Sequence, residues 1–370
     1  MRQVGSNRID MARDGWCYDH VRVDKGRSRV RAADVAAAAG VSTTAVSLVL
    51  NGRDAGNISA KTRAHVLKAA KELGYRPDHV ARSLRQRSTA SIGLVTDGVA
   101  SSPFGGRLLA AATETAEAIG HVLLVMDLGH RTGRVADAIA DLEHRQVDSI
   151  IYATMGFTQL LKAPTSRIPL VLANCTSPDP DTSSVRPDDA GGAVAALQHL
   201  ADLGHRDVVM LGGHHEPTLP EAEAGNVSGP IRWAAFRQAA ATRGVAARLH
   251  TRGWEIDEGY AAALDVLDVP PDERPTALFA VCDRVATGAL LAATKLGLGV
   301  PGDLSIIGFD DQEALAERLV PALTTIALPH AAMGEAAVRL ALDAPTPAEQ
   351  LVLPCPLVVR DSTAPPRTER

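Results

Sequence analysis

The sequence predicts a small all-α module followed by an α/β body built on two doubly wound parallel sheets, and three observations carry that prediction. Between residues 31 and 75, apolar residues recur at helical spacing in segments broken by Gly40 and by the polar loop NGRDAGN. From residue 91 onward, short apolar runs alternate with amphipathic stretches, the pattern of strand–helix units whose parallel strands are buried on both faces. Those units continue for more than 250 residues, which suits two sheets better than one, and 370 residues is length enough for two or three domains.

Taken in order, residues 1–29 show no sustained period and are expected to form a disordered extension. Three helices follow in RAADVAAAAG (31–40), VSTTAVSLVLNG (41–52) and ISAKTRAHVLKAAKELGY (58–75), and Pro77 closes the unit, giving a domain over 30–76. DHVARSLRQ (78–86) is a fourth helical stretch within a linker, 77–90. The expected strands are 91–97, 121–127, 147–154, 168–174, 207–213, 247–251, 276–283 and 304–310, with helices at 104–119, 190–203, 230–243, 257–268 and 284–297. Such sheets bind ligands at the carboxyl ends of their strands. Those ends carry Asp97, Asn174, Asp283 and Asp310, although Asp and Asn at a strand end are also ordinary helix caps and turn residues.

Charge divides the chain. Residues 1–90 hold 17 Lys and Arg against 8 Asp and Glu, a net +9, and the other 280 hold 21 against 35, a net −14. A basic quarter on an acidic body suits a nucleic-acid module, because cations that neutralise phosphates supply most non-specific DNA affinity; a basic arm can equally be a solvated tail. Hydrophobic residues at 46% and charged residues at 22% describe a globular protein. No apolar run approaches the roughly 18 residues of a membrane span, and the first thirty residues lack the apolar stretch of an export signal. Cys17, Cys175, Cys282 and Cys355 lie far apart without metal-ligand spacing. Reduced thiols, a cytoplasmic location, no membrane, no metal and no cofactor are the expectations.

The segment Val30–Asn51 is the most informative. An Ala-rich helix ends at Gly40, and Ser42 can cap a second helix beginning at Thr43. Two short helices with a Gly in the turn make either an ordinary αα-hairpin or a DNA-binding helix-turn-helix, whose second helix presents its first residues to the major groove. The longer string decides between them. AADVAAAAGVSTTAVSLVLNG followed by ISAKTRAHVLKAAKELGYRPDHVARSLRQ resembles the headpiece of the LacI/GalR family of bacterial transcription regulators. SIGLV, SSPF, HLADLGHRDVVMLGG, VPGDLSIIGFDD and PALTTI resemble that family's effector-binding core, so the likeness spans about 30–362.

The resemblance implies a periplasmic-binding-protein-like core over 91–362, with an N-subdomain of 91–186 and 305–327, a C-subdomain of 187–304 and 328–362, and a tail of 363–370. It implies DNA contacts by Ser42, Thr43, Thr44, Ser47, Leu48 and Asn51 of the headpiece and by Ala81, Arg82, Leu84 and Arg85 of the hinge. Leu84, flanked by arginines, matches the leucine that wedges into the minor groove at a central base step. Leu48 stands where relatives commonly carry a guanine-reading Arg, so Leu48 either favours a thymine methyl or simply packs. Arg31 and Ala32 replace the usual Thr-Ile, and NGRDAGN is one residue longer than usual.

For the effector, the resemblance implies Phe104, Asn174, Arg232, Trp254 and Asp310 around a cleft between the subdomains, with Asn226, Ser228 and the strand-end Asp283 as further pocket positions. An Arg and an Asp can hold vicinal hydroxyls and an aromatic face can cover a pyranose, so a carbohydrate is the expected ligand class. Gly105 and Cys282 depart from the family pattern, and His214–Gly229 is longer than its counterpart. The implied partners are a palindromic double-stranded operator, a small-molecule effector and a second copy in a homodimer.

An enzyme is the competing class. GLGVPG (297–302) matches GxGxxG in letters, but it follows a helix and precedes a strand, the reverse of a dinucleotide fingerprint. No P-loop or GxSxG elbow occurs, His214–His215–Glu216 lacks helical ligand spacing, and Asn226–Val227–Ser228 is a glycosylation sequon in letters alone. A transporter's binding protein would fit the core without the headpiece. A small-molecule sensor that has lost DNA binding is the alternative that Leu48 and the Ala-rich first helix leave open.

Overall fold

The computed structural model describes residues 30–50, 54, 56–75, 88–100, 105–129, 132–213 and 225–367. The chain divides into two units at Arg82–Ser83, within the expected linker. In the first unit, α1 (Ala32–Ala39) starts where Asp34 Oδ2 accepts the Arg31 N–H at 2.7 Å and ends at Gly40, whose φ of +65° is the left-handed stop that glycine tolerates best. Ser42 caps α2 (Thr43–Leu50) by accepting the Ala45 N–H at 3.2 Å, and Ser59 caps α3 (Ala60–Glu72) by accepting that of Thr62 at 3.1 Å. The axes of α1 and α2 turn through 102°, within the range of a helix-turn-helix. Val35, Val46, Val49 and Val66 are the centre of the small core that fixes this angle.

The second unit holds two sheets. β1 (Ser91–Thr96), β2 (Val122–Asp127), β3 (Ser149–Gln159), β4 (Leu170–Thr176), β5 (Ser183–Pro187) and β12 (Gln350–Leu353) form the first, in the order β12-β5-β4-β3-β1-β2, all parallel. The two-residue β7 (Gly225–Asn226) adds an antiparallel pairing to the far end of β3. β6 (Asp207–Leu211), β8 (Ala246–His250), β9 (Ala277–Ala280), β10 (Ser305–Asp310), β11 (Thr324–Ala327) and β13 (Leu357–Val358) form the second, in the order β13-β11-β10-β9-β6-β8, parallel except for β13. The helices are α4 (Gly106–Ala118), α5 (Val135–His144), α6 (Asp189–Asp202), α7 (Ser228–Arg243), α8 (Ile256–Leu267), α9 (Asp283–Lys295) and α10 (His330–Asp343). The eight expected strands and five expected core helices all occur, with ends shifted by a few residues.

The expected subdomain boundaries need correction. Segment 305–327 does not return to the first lobe: β10 pairs with β9 (Ser305↔Ala277) and β11 pairs with β10, so both extend the second sheet. It is 330–353 that returns, with α10 packed on α4, β3, β4 and β5, and β12 added to β5. The chain therefore crosses between lobes after Pro187, after Ala327 and at 354–356, with no crossing near 304. The core of the second lobe is the larger, and Phe236, Phe279 and Phe309 step through it with neighbouring ring centroids 5.0 and 6.4 Å apart. α8 and α9 meet so closely at Gly288 that a Cβ there would strike the Ile256 carbonyl and the Tyr260 amide. Residues 297–302 form the turn between α9 and β10, as their position between helix and strand predicts.

Candidate functional site

Three crossings between two parallel sheets leave a cleft at the carboxyl ends of the strands, and a cavity of about 120 Å³ opens there. The first lobe supplies Met155, Gly156 and Phe157 from β3, Asn174 from β4 and Pro187 from the end of β5. Met155, Gly156 and Phe157 lie in the irregular stretch of β3 between Ala153 and Thr158. Asn174 holds the bulge: with φ +57°, its Nδ2 donates to the Thr154 and Met155 carbonyls at 3.0 and 3.2 Å, and Thr154 Oγ1 donates back to the Asn174 carbonyl at 2.7 Å.

Across the cleft stands the start of α7. Asn226 Oδ1 accepts the Ser228 N–H at 2.9 Å, and Ser228 Oγ accepts the Phe157 N–H at 3.2 Å, which ties α7 to β3 of the other lobe. One turn on, Arg232 is 3% exposed, and a guanidinium so deep survives only with partners. Its Nε donates to Asp189 Oδ1 at 2.7 Å, Nη1 donates to the Val281 carbonyl at 2.5 Å and lies 3.8 Å from Asp310 Oδ1, and its plane covers the Phe309 ring at 3.6 Å. Burial opposes the Arg232 charge, but Asp189 and Asp310 more than offset it and raise its pKa. Asp189, on the first crossing, is pushed up by burial and drawn back by the same guanidinium; at 2.7 Å the pair is ionic.

Asp310 closes the cleft at the end of β10, with φ +115°. Burial pushes its carboxyl well above the usual carboxylate range, Arg232 pulls it back and Asp283 adds to the push. Trp254 gives an aromatic wall, and its carbonyl accepts the Cys282 thiol at 3.4 Å. Burial pushes that thiol up to about 12, so it is no nucleophile at neutral pH. Arg284 reaches the cavity with Nη1 on Glu255 at 2.5 and 2.7 Å, and His330, at the third wall, is lowered to about 4 by burial and by Arg107 and Arg232, so its imidazole is neutral.

Of the expected effector residues, the structure brings Asn174, Asn226, Ser228, Arg232, Trp254 and Asp310 together, and Phe104 lies outside the described residues. Asp283 is corrected. It is fully buried beneath the cleft, with Oδ1 accepting from Thr325 Oγ1 of β11 at 2.6 Å and Oδ2 from the Gln312 N–H at 2.7 Å, so one oxygen is held by β11 and the other holds the turn after β10. That turn is strained, with Asp311 and Ala314 also at positive φ, and Asp311 takes ion pairs from Arg360 at 2.7 Å and from Arg107 of the other lobe at 3.9 Å. Gly105 is explained as well: a side chain there would run into the Val99 carbonyl.

Asp283 carries a pH prediction. Burial raises its pKa to about 7, above the ordinary value near 4, so the folded chain binds a proton that the unfolded chain has released. This group's contribution is therefore full below about pH 4 and is lost as pH rises to about 7, a fall of a few kcal/mol in unfolding free energy. Urea titrations at pH 5 and 8 should show it, and Asp283→Asn should flatten the difference.

In the headpiece, Thr43 and Thr44 are exposed at the start of α2, while Ser47 and Leu48 are half-buried one turn on. Ser42 Oγ accepts the Ala45 N–H of the cap. Asn51, Ala81, Arg82, Leu84 and Arg85 lie outside the described residues.

Residues 32–78 match the profile described as bacterial regulatory proteins, lacI family, and residues 197–363 match that of a periplasmic binding protein-like domain. The HTH-type transcriptional regulator DegA of Bacillus subtilis is 34% identical over 348 residues, which cover 90% of this chain and 98% of that protein. The chain belongs to the LacI family of bacterial regulatory proteins. The HTH-type transcriptional repressor PurR of Mannheimia succiniciproducens is 31% identical, covering 83% of this chain and 89% of the relative. A crystal structure of the lac repressor dimer bound to operator and the anti-inducer ONPF shares 27% identity with this LacI-family chain, at a TM-score of 0.74, covering 91% of this chain and 100% of that one.

Sequence reasoning missed Asp189, Phe157, Arg284 and His330. The pair Asp188-Asp189 reads as two helix-capping acids; only Asp188 caps, accepting the Gly191 N–H at 2.9 Å, while its neighbour turns inward to Arg232. Phe157 depends on a bulge that no local pattern announces.

Proposed function

We propose that this chain is a sequence-specific DNA-binding repressor whose operator affinity is set by a neutral, hydroxyl-rich small molecule, a sugar or sugar derivative, held between the lobes. The observation that carries the reading is the presence in one chain of a helix-turn-helix headpiece and a three-crossing cleft ringed by aromatic and hydroxyl-binding side chains. Trp254 and Phe157 offer apolar faces, Asn174 and the neutral His330 exchange hydrogen bonds, and Asp310 beside Arg232 suits adjacent hydroxyls. The cavity's cations are already paired, Arg232 with Asp189 and Arg284 with Glu255, which favours an uncharged ligand. Binding shifts a population: a ligand on Asp310 bears on the turn 310–314, whose Asp311 and Glu313 face Arg107 across the lobes at 3.9 and 3.5 Å. The chain works by binding alone, as a homodimer in the cytoplasm, on a palindromic site that two headpieces span.

Selection from a random DNA pool tests this. The full chain should enrich a palindrome of about 16–20 base pairs with a flexible central step, and a fragment beginning at Ser91 should enrich nothing. Enrichment by neither overturns operator binding and leaves the sensor that has lost it. In the hinge, Leu84→Ala should weaken binding to the selected site by roughly tenfold or more while non-specific binding changes little, because only the specific complex is repaid for unstacking the central step. Equal loss of both would remove the wedge from Leu84.

A further inference from the structure

The surface that α2 offers to DNA has an unusual chemistry. Its sequence, TTAVSLVL, holds no Arg, Lys, Asn, Gln, Asp or Glu. Val46 and Val49 are buried in the headpiece core and Leu50 packs on it. At 3.6 residues per turn, Thr44 and Leu48, four apart, lie on the opposite side, with Thr43 and Ser47 beside them. Leu48 is half-buried, yet among the described residues it is not one of the side chains packed on that core, which are Ala39, Val41, Leu50, Ile58 and Tyr75. Packing on that core therefore does not account for a leucine at this position.

The major groove can be read in two ways. Guanine is read by paired donors from Arg or Lys, adenine by an amide, and cytosine by a carboxylate acceptor, whereas the thymine 5-methyl is read by apolar contact. α2 has none of the first three and has the last twice over, in the Thr44 methyl and the Leu48 isobutyl group. Asn51, directly after the helix, adds an amide suited to adenine.

We propose that α2 specifies its half-site by thymine methyl groups, with Thr44 and Leu48 forming an apolar patch that selects adjacent T·A pairs and with no guanine read by the helix. This rests on the operator-binding reading above and deepens it. Phosphate contacts hold the headpiece in place but carry no sequence information, so specificity under α2 falls to contacts of modest size, each methyl being worth about fourfold in affinity.

The test begins with the selected operator. Thymines in the stretch that α2 covers are replaced one at a time by uracil, which removes the 5-methyl and leaves every hydrogen-bonding edge intact, and affinity is read by fluorescence anisotropy at one salt concentration. At two adjacent positions uracil should weaken binding about fourfold. In Leu48→Ala the thymine–uracil difference at one of them should shrink below twofold, with the melting temperature of the chain unchanged, because Leu48 lies off the core. Leu48→Arg should select guanine at that position in a second round. Guanine specified under α2 by the natural chain, or uracil bound as tightly as thymine throughout, overturns the proposal while leaving operator binding intact. Enrichment of no site overturns operator binding and the proposal together.

Discussion

Arg232→Ala is expected to lower the unfolding free energy by about 3–5 kcal/mol, the largest single effect at the cleft. The cause is what remains. Asp189 is 1% exposed, its Oδ2 has no hydrogen-bond partner and its Oδ1 depends on the Arg232 guanidinium, so truncation strands a carboxylate in a dry interior. Asp310 loses the cation at 3.8 Å and the Val281 carbonyl loses its donor. Two companions separate charge from packing. Arg232→Lys keeps a charge without the planar fork and should recover only part of the loss. Arg232→Met with Asp189→Leu removes both charges and should be far more stable than the single alanine variant, since an apolar pair in place of a buried ion pair is often neutral. Urea unfolding followed by Trp233 and Trp254 fluorescence reads all three. A cost below about 1 kcal/mol for Arg232→Ala would mean that water reaches Asp189.

Phe309→Ala is expected to cost a similar amount, about 3–5 kcal/mol. The ring is fully buried at the end of the aromatic series in the second lobe, and its face lies 3.6 Å from the Arg232 guanidinium, so its loss leaves a void below the residue that the cleft most depends on. Phe309→Leu restores most of the volume but not the π face, and should cost about 1–2 kcal/mol. The same unfolding curves check both, and a negligible cost for Phe309→Leu beside the full cost of Phe309→Ala would remove any role for the ring beyond bulk.

Much of this was legible in the sequence, for identifiable reasons. The headpiece could be read because its signals are local: Gly40 stops one helix, Ser42 and Ser59 start the next two, and valines at helical spacing mark the shared core. The strands could be read because parallel strands buried on both faces become unbroken apolar runs, such as SIIGFD in β10. The allocation of strands to lobes could not be read that way. β10 looks the same in either sheet, and its place is decided by pairing with β9, a contact distant in sequence. α10 and β12, which return to the first lobe, are bounded by Pro329 and by the prolines at 354 and 356, but nothing in their own pattern says which sheet they join. At the cleft, residue types that suit a ligand were found wherever they end a strand or begin a helix. Asp283 shows the limit of that logic, since its chemistry fits a ligand and its environment assigns one oxygen to β11 and the other to the turn after β10.

Control of DNA affinity by the cleft is read most directly from the dissociation constant of the selected operator for the full chain, with and without saturating neutral mono- and disaccharides. At least one sugar should shift it by roughly fivefold or more, a coupling of about 1 kcal/mol, and Asp310→Asn should abolish that shift while binding operator as the natural chain does. A sugar-dependent shift of the same size in Asp310→Asn, or operator affinity indifferent to every sugar, would contradict it.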